Sequence, residues 1–331
     1  MAYGGGGSGG SGGGGAGGGG STGAGGITTG AATGVGFGSQ KINGQRGVRL
    51  GGYPFTQAMD YWSVQHPANA ISFGDLIQDQ YDHFGSSDGV RCASAGGPTP
   101  ADPTKGDRVQ YINFMTPANS IDWGELNVAG RHGDSLSGGS RAMHVTGYNG
   151  SANVQTMEKW NMASLGSAIN YYQGKKTEAQ YDFGCGSDGV RGLTFGGEGP
   201  GGETTTIDFF SIYSDGDALD FGDLLNEGRG GKQLMHGARG FRAGGDVNDT
   251  QYDGIEVWEI GTLGNASDHG ELTQGRYYTC STSDGIRNVT VSGTDPGVNT
   301  MDYHASYSAG SAIDFGDLTE TKGRCGAAGG G

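Results

Sequence analysis

One phrase recurs through this chain, and its spacing restricts the fold more than any other feature. "SAIDFGDL" at Ser311–Leu318 returns as "NAISFGDL" at Asn69–Leu76, "NSIDWGEL" at Asn119–Leu126, "DALDFGDL" at Asp217–Leu224 and "NASDHGEL" at Asn265–Leu272. A degraded copy, "SAINYYQG", stands at Ser167–Gly174. The glycine position of the phrase runs Gly74, Gly124, Tyr172 in the degraded copy, Gly222, Gly270 and Gly316, in steps of 50, 48, 50, 48 and 46 residues. Fourteen residues before each lies a polar or acidic residue in an apolar run: Asp60, Gln110, Glu158, Asp208, Glu256 and Asp302. A third series, Arg46, Arg91, Arg141, Arg191, Arg239 and Arg287, opens stretches such as "RGLTFGG", several of them after a turn such as "SSDGVR" or "TSDGIR".

The runs that carry these series are short, alternate or are rich in β-branched and aromatic residues, and show no helical period, so they read as strands. Asp-Gly between two such runs predicts a tight hairpin whose turn needs positive φ. A fourth run precedes each turn, at 81–86, 130–137, 181–186, 232–236, 276–281 and 324–330. Four short strands per unit of about 40–50 residues is the pattern of a propeller blade. The N-terminal unit lacks its first run and the C-terminus ends on one, so the two ends are expected to share a blade. The expectation is an all-β, six-bladed β-propeller of four-stranded blades over residues 41–331, preceded by a glycine-rich arm over 1–40.

The "RGLTFGG" strand, the "TIDF" strand and the "ALDFGDL" strand together resemble the kelch-like repeats of tail-fibre and other virion proteins of marine bacteriophages. The words that carry the resemblance are "SDGVRGLTFGG" (Ser187–Gly197), "TTIDFFSI" (Thr205–Ile212) and "ALDFGDL" (Ala218–Leu224). It implies a propeller and a place in a phage particle, made in the host cytoplasm. The third unit departs most, with "AINYYQG" for its phrase and "LSGGSR" for its turn.

Composition narrows the function. The chain holds 73 glycines and only 33% hydrophobic residues, and no charged residue precedes Lys41. The arm therefore cannot bury a core. A net charge of −15 disfavours nucleic acid, which is held through Lys and Arg. No apolar run is long enough to insert in a membrane, and "MAYGGGG" lacks the pattern of a signal peptide. Cys92, Cys185, Cys280 and Cys325 show no metal spacing and are expected to be reduced, semi-buried thiols.

The aromatic series Phe73, Trp123, Tyr171, Phe221, His269 and Phe315 is expected to wedge between blades. The six arginines are expected to clasp the acids that repeat in step, Asp75, Glu125, Asp223, Glu271 and Asp317, or the strand acids. "GDSL" at Gly133–Leu136 has the form of a hydrolase signature but falls in a repeat position with no histidine repeated beside it, so no catalysis is expected. Turn chemistry accounts for the Asp and Asn of the loops without calcium, and no metal or cofactor is expected.

The repeat stops repeating between the second and third strands and between blades. Strand parity puts both loop classes on one face of the disc, where recognition belongs. Tyr148, Asn149, Lys175, Lys176, Arg229, Tyr252 and Asp253 are the expected binding residues there. The expected function is non-enzymatic: host recognition, as a tail-fibre-associated module meeting a surface glycan or protein, with a purely structural decoration or connector as the alternative. The arm is expected to join other virion subunits, and the protein to be a homo-oligomer.

Overall fold

The structure is a computed structural model that describes residues 45–231, 235–236, 238–293 and 297–330, with backbone alone at 169–174 and 235–236. The glycine-rich arm over 1–40 and the expectations attached to it lie outside the described residues, as does the side chain of Tyr171. The remainder is all-β, with six four-stranded antiparallel sheets arranged as the blades of a propeller.

Blade one is the shared one: Gly326–Gly330 is its innermost strand, followed outward by Arg46–Leu50, Thr56–Ser63 and Ile71–Gln80. Arg46 pairs with Gly330 and Leu50 with Gly326, so the C-terminus closes the ring as its missing first run requires. Blades two to six begin with Phe84–Ser87, Asp134–Gly138, Gly184–Ser187, Met235–His236 and Cys280–Ser283, and each runs outward as a simple meander. The inner hairpins turn on Gly89, Gly139, Gly189 and Gly285, with φ between 63° and 95°. The strand register makes glycine the first of the two central turn residues, rather than the second as "Asp-Gly" suggests. Asp88, Asp188 and Asp284 instead cap the turn, each accepting two backbone N–H bonds at 2.6–2.9 Å.

Neighbouring meanders bury their sheet faces against one another, so the hydrophobic core comes in six clusters, each drawn from a pair of adjacent blades. Phe73, Trp123, Phe221, His269 and Phe315 are all at most 3% exposed and form the expected wedges. His269 keeps its polarity satisfied, its Nε2 lying 2.8 Å from the Ala305 carbonyl.

The repeated series prove to be contacts between blades. In the phrase, the carbonyl of the acidic position, or of Lys175 in the degraded copy, accepts an N–H from the next blade. Ser120, Ala168, Ala218, Ala266, Ala312 and Ala70 donate in turn, at 2.6–2.9 Å, around the whole ring. The phrase glycine permits that approach. A Cβ on Gly222 would lie 2.5 Å from the Gly264 carbonyl oxygen, at φ 150°. The third-strand polar series forms a second ring. Gln110, Glu158, Asp208, Glu256 and Asp302 each accept the backbone N–H of Ile77, Asn127, Thr177, Leu225 and Thr273 in the preceding blade, and Asp60 accepts from the hydroxyl of Thr319.

The arginines form a third ring, and here the expected partner is wrong. Asp75, Glu125, Asp223, Glu271 and Asp317 point into solvent, while the arginines donate to backbone carbonyls of the next blade. Arg46 reaches Phe114, Arg91 Met162, Arg141 Ile212, Arg191 Ile260, Arg239 Ser306 and Arg287 Gln65. A strand end that runs out of ladder partners leaves its carbonyl needing a donor, and the guanidinium fork supplies one across the blade boundary.

The cysteines also depart from expectation. Cys280 and Cys325 form a disulfide with Cα atoms 6.3 Å apart, joining the inner strand of blade six to the segment that enters the inner strand of blade one. A sequence separation of 45 hid this pair, because only ring closure brings it together. Cys92 and Cys185 remain buried thiols.

Candidate functional site

Each inner strand is entered through one residue at the same repeat position: Arg324, Asp82, His132, Asp182, Gly230 and Tyr278. All six are left-handed, with φ between 48° and 67°. Their backbones hydrogen-bond in sequence around the axis: Asp82 N–H to Arg324, Arg324 to Tyr278, Tyr278 to Gly230, Gly230 to Asp182 and Asp182 to His132. Glycine is the unstrained choice at such a position, yet only blade five uses it. The other five carry side chains in a conformation that costs them of order 1 kcal/mol or more each.

Those side chains meet on the axis. His132 Nδ1 lies 2.8 Å from Asp182 and 3.5 Å from Asp82. The Tyr278 hydroxyl donates to Asp182 at 3.1 Å, and Arg324 donates to Asp82 at 3.2 Å while its guanidinium sits 3.8 Å from the centre of the Tyr278 ring. Asp82 and Asp182 are buried, whereas His132 and Arg324 reach solvent with side chains 12% and 18% exposed. The cluster is thus the floor of the loop face at the axis. Burial alone would lower the His132 pKa, but the two carboxylates outweigh it and hold the imidazole above its usual range. Burial, then Asp182, pushes the Tyr278 phenol up, so it stays a donor. Asp82 Oδ1 is buried and has no donor among the described residues, and like the rest of that side chain it is closed off from solvent.

Around the floor stand half-buried residues one position earlier in the repeat. The Arg131 guanidinium lies 5.3 Å from the centre of the Tyr148 ring, and the two backbones pair. Tyr81 packs edge-on against Tyr53 and Phe55, and Tyr181 against His132. Arg229 is held by Glu198, Glu203, Asp246 and Asp249 and approaches the Tyr181 hydroxyl at 3.4 Å. Burial, then hydrogen bonding to Glu198, pushes the Tyr181 phenol up to about 12. Aromatic faces beside charged donors and acceptors suit a ligand that is flat and apolar on one side and hydroxylated at its edges.

The expected binding residues fall into four groups. Tyr148 and Arg229 stand beside the axial residues, Tyr148 paired with Arg131 and Arg229 near Tyr181. Asn149 lies in the same loop as Tyr148, but its side chain caps a turn by accepting the N–H groups of Ser151 and Ala152. Lys175, Tyr252 and Asp253 stand out toward the rim, where the Tyr252 hydroxyl accepts from Asn226 and its ring lies by Arg242. Lys176 is not on the surface: it is 2% exposed, with Nζ 3.4 Å from the centre of the Phe183 ring and 3.2 Å from the Gln180 carbonyl. Burial drops its pKa to about 7, which explains how a lysine sits there.

Sequence reasoning missed the axial residues because their side chains do not repeat, although their spacing of 50, 50, 48, 48 and 46 does. "GDSL" gains a histidine in the fold, Ser135 Oγ lying 3.3 Å from His144 Nδ1. That pair is the blade-three version of cross-strand pairs that are Gly85–Ser94, Cys185–Thr194 and Ser281–Thr290 elsewhere. Both residues are at most 1% exposed, out of a substrate's reach. Among the described residues no group of three or more His, Cys, Asp or Glu is placed to hold a metal. No protein-family model matches the chain, and none of the curated proteins is similar to it in sequence.

Proposed function

We propose that the protein is a non-enzymatic recognition module of a bacteriophage particle, tail-fibre-associated, that binds a host-surface glycan over the axial cluster of its loop face. The observation that carries this is the ring of five side chains kept at left-handed positions where glycine would be easier, all meeting at the axis. Strained residues gathered in one place are a reason to look for function there. Support also comes from the kelch-like words of the sequence and from the disulfide, which suits a protein working outside a reducing cytoplasm after being made in one. Other virion subunits would hold the glycine-rich arm.

The test is a glycan array probed with the full-length protein, followed by affinity measurements on the best ligand. Tyr181→Ala and Arg131→Ala are expected to weaken binding roughly tenfold or more, as loss of a stacking or ionic anchor does. Binding that ignores both changes would overturn the axial assignment. The apolar character of the opposite face favours the second reading, a structural connector. That reading wins if no glycan binds while phage particles lacking the protein take it up.

A further inference from the structure

The opposite face of the disc, which carries the inner-hairpin turns and the loops between third and outer strands, is apolar in a regular way. Fourteen large hydrophobic side chains are exposed among the described residues, and all but Ile77 and Leu225 lie on this turn face. Val90, Val190 and Ile286 cap the hairpins nearest the axis at 42–67% exposure. Ile71, Ile121, Leu219 and Ile313 begin outer strands at 57–61%, and the others fall between these rings. Scattered apolar residues need no explanation, but twelve on one face, recurring with the blades, do.

We propose that the turn face is the interface with a second copy of this chain, two discs stacking turn face to turn face about a two-fold axis. A face whose apolar rings repeat with the blades matches itself, as an isologous interface must. Scaled from the 150–250 Å² of an aromatic side chain, the exposed apolar area is roughly 1,000 Å², comparable to the ~800 Å² each partner gives to a standard interface. The acids nearest the axis, Asp88, Asp188 and Asp284, are tied to backbone N–H groups. On this face Asp122, Asp215 and Glu259 pair with Arg108, Lys159 and Arg239, and the exposed Asp217, Asp220, Asp268 and Asp314, in or next to the outer strands, are the like charges a second disc would meet.

This proposal does not depend on glycan binding. Sedimentation of the full-length protein over a range of concentrations is expected to show twice the chain mass, with association strengthened by added salt as these like charges are screened. The double variant Val190→Lys with Ile286→Lys, at exposed positions and checked for an unchanged melting temperature, is expected to sediment at the single-chain mass, its self-affinity lowered roughly a hundredfold or more. A monomeric wild-type protein at every concentration and salt overturns the proposal. So does a dimer that survives the double variant, which assigns association to another surface, and so does association that salt weakens, the mark of an oppositely charged contact.

Discussion

Glu158 shows how one residue can disobey a ring it belongs to. Four of its counterparts have a cation at hand: Asp60 with Arg49 at 2.7 Å, Asp302 with Arg276 at 2.8 Å, Glu256 with Arg242 at 3.6 Å, and Asp208 under the influence of Lys176. Blade two avoids charge altogether, with Gln110 donating to Gln80 at 2.6 Å. Glu158 has no ion pair among the described residues, and burial pushes its carboxyl up to about 7. Its folded pKa exceeds its unfolded one, so its favourable, protonated form is present below about pH 4.5 and is lost as pH rises through about 7. Glu158→Gln should therefore leave stability unchanged at acid pH and raise it above neutrality, on the order of 2 kcal/mol once solvent screening is discounted. Melting curves across pH check this, and equal effects at both ends would refute it. His132 faces Asp82, Asp182, Arg131 and the Tyr181 ring, and its raised pKa is of the opposite chemical type. The protonated imidazole contributes stability fully below the unfolded value near 6.5, and that contribution fades as pH climbs through the higher folded value. His132→Asn, which tolerates φ 57°, should melt lower than wild type at pH 6 and converge with it in alkali. Parallel melting curves would show that the imidazole carries no charge there.

Among the elements, the phrase and the seam bear most weight. The outer-strand glycine is where the backbone of the next blade lies closest, and Gly222→Ala puts a Cβ against the Gly264 carbonyl in a conformation foreign to alanine. A loss of roughly 2–4 kcal/mol is expected from strain plus overpacking, measured by denaturant unfolding. The same substitution at Gly201, where a Cβ meets nothing within 4 Å, serves as the control and should be near neutral. At the seam, the Cys280–Cys325 bond spans a sequence separation of 45 residues. Chain-entropy reasoning gives such a crosslink roughly 4 kcal/mol. Reductant should lower wild-type stability to that of Cys280→Ser with Cys325→Ser and leave the double variant unaffected. If reductant changes nothing in the wild-type protein, the seam is not covalently locked.

At the scale of the whole molecule the propeller is a ring in which the phrase bonds and the arginine bonds run through all six blade boundaries, so no blade can leave without breaking contacts on two sides. Deleting Gly323–Gly331 removes the inner strand of blade one, Arg324 from the axial cluster and one half of the disulfide. The remaining edge at Arg46–Leu50 loses its ladder partner, and melting should fall sharply and broaden. An unchanged melting temperature would mean that the shared blade does not hold the ring. Blade number, strand order, the shared blade and the aromatic wedges were legible before any coordinates, because each is a consequence of period: a residue type repeated at a constant offset must occupy equivalent places in equivalent blades. What repetition could not supply was the partner of each repeated residue, since a blade's neighbours lie about 50 residues away and contacts across that boundary leave no local pattern. Hence the sequence pairs the arginines with acids in step and not with carbonyls of the next blade, places Lys176 on the surface although it packs against Phe183, and offers nothing that joins Cys280 to Cys325. The axial site escaped for the opposite reason. Its backbone repeats and its side chains do not, so Asp82, His132, Asp182, Tyr278 and Arg324 look unrelated in sequence, and only the closing of six strands around one axis brings five different side chains to a single point.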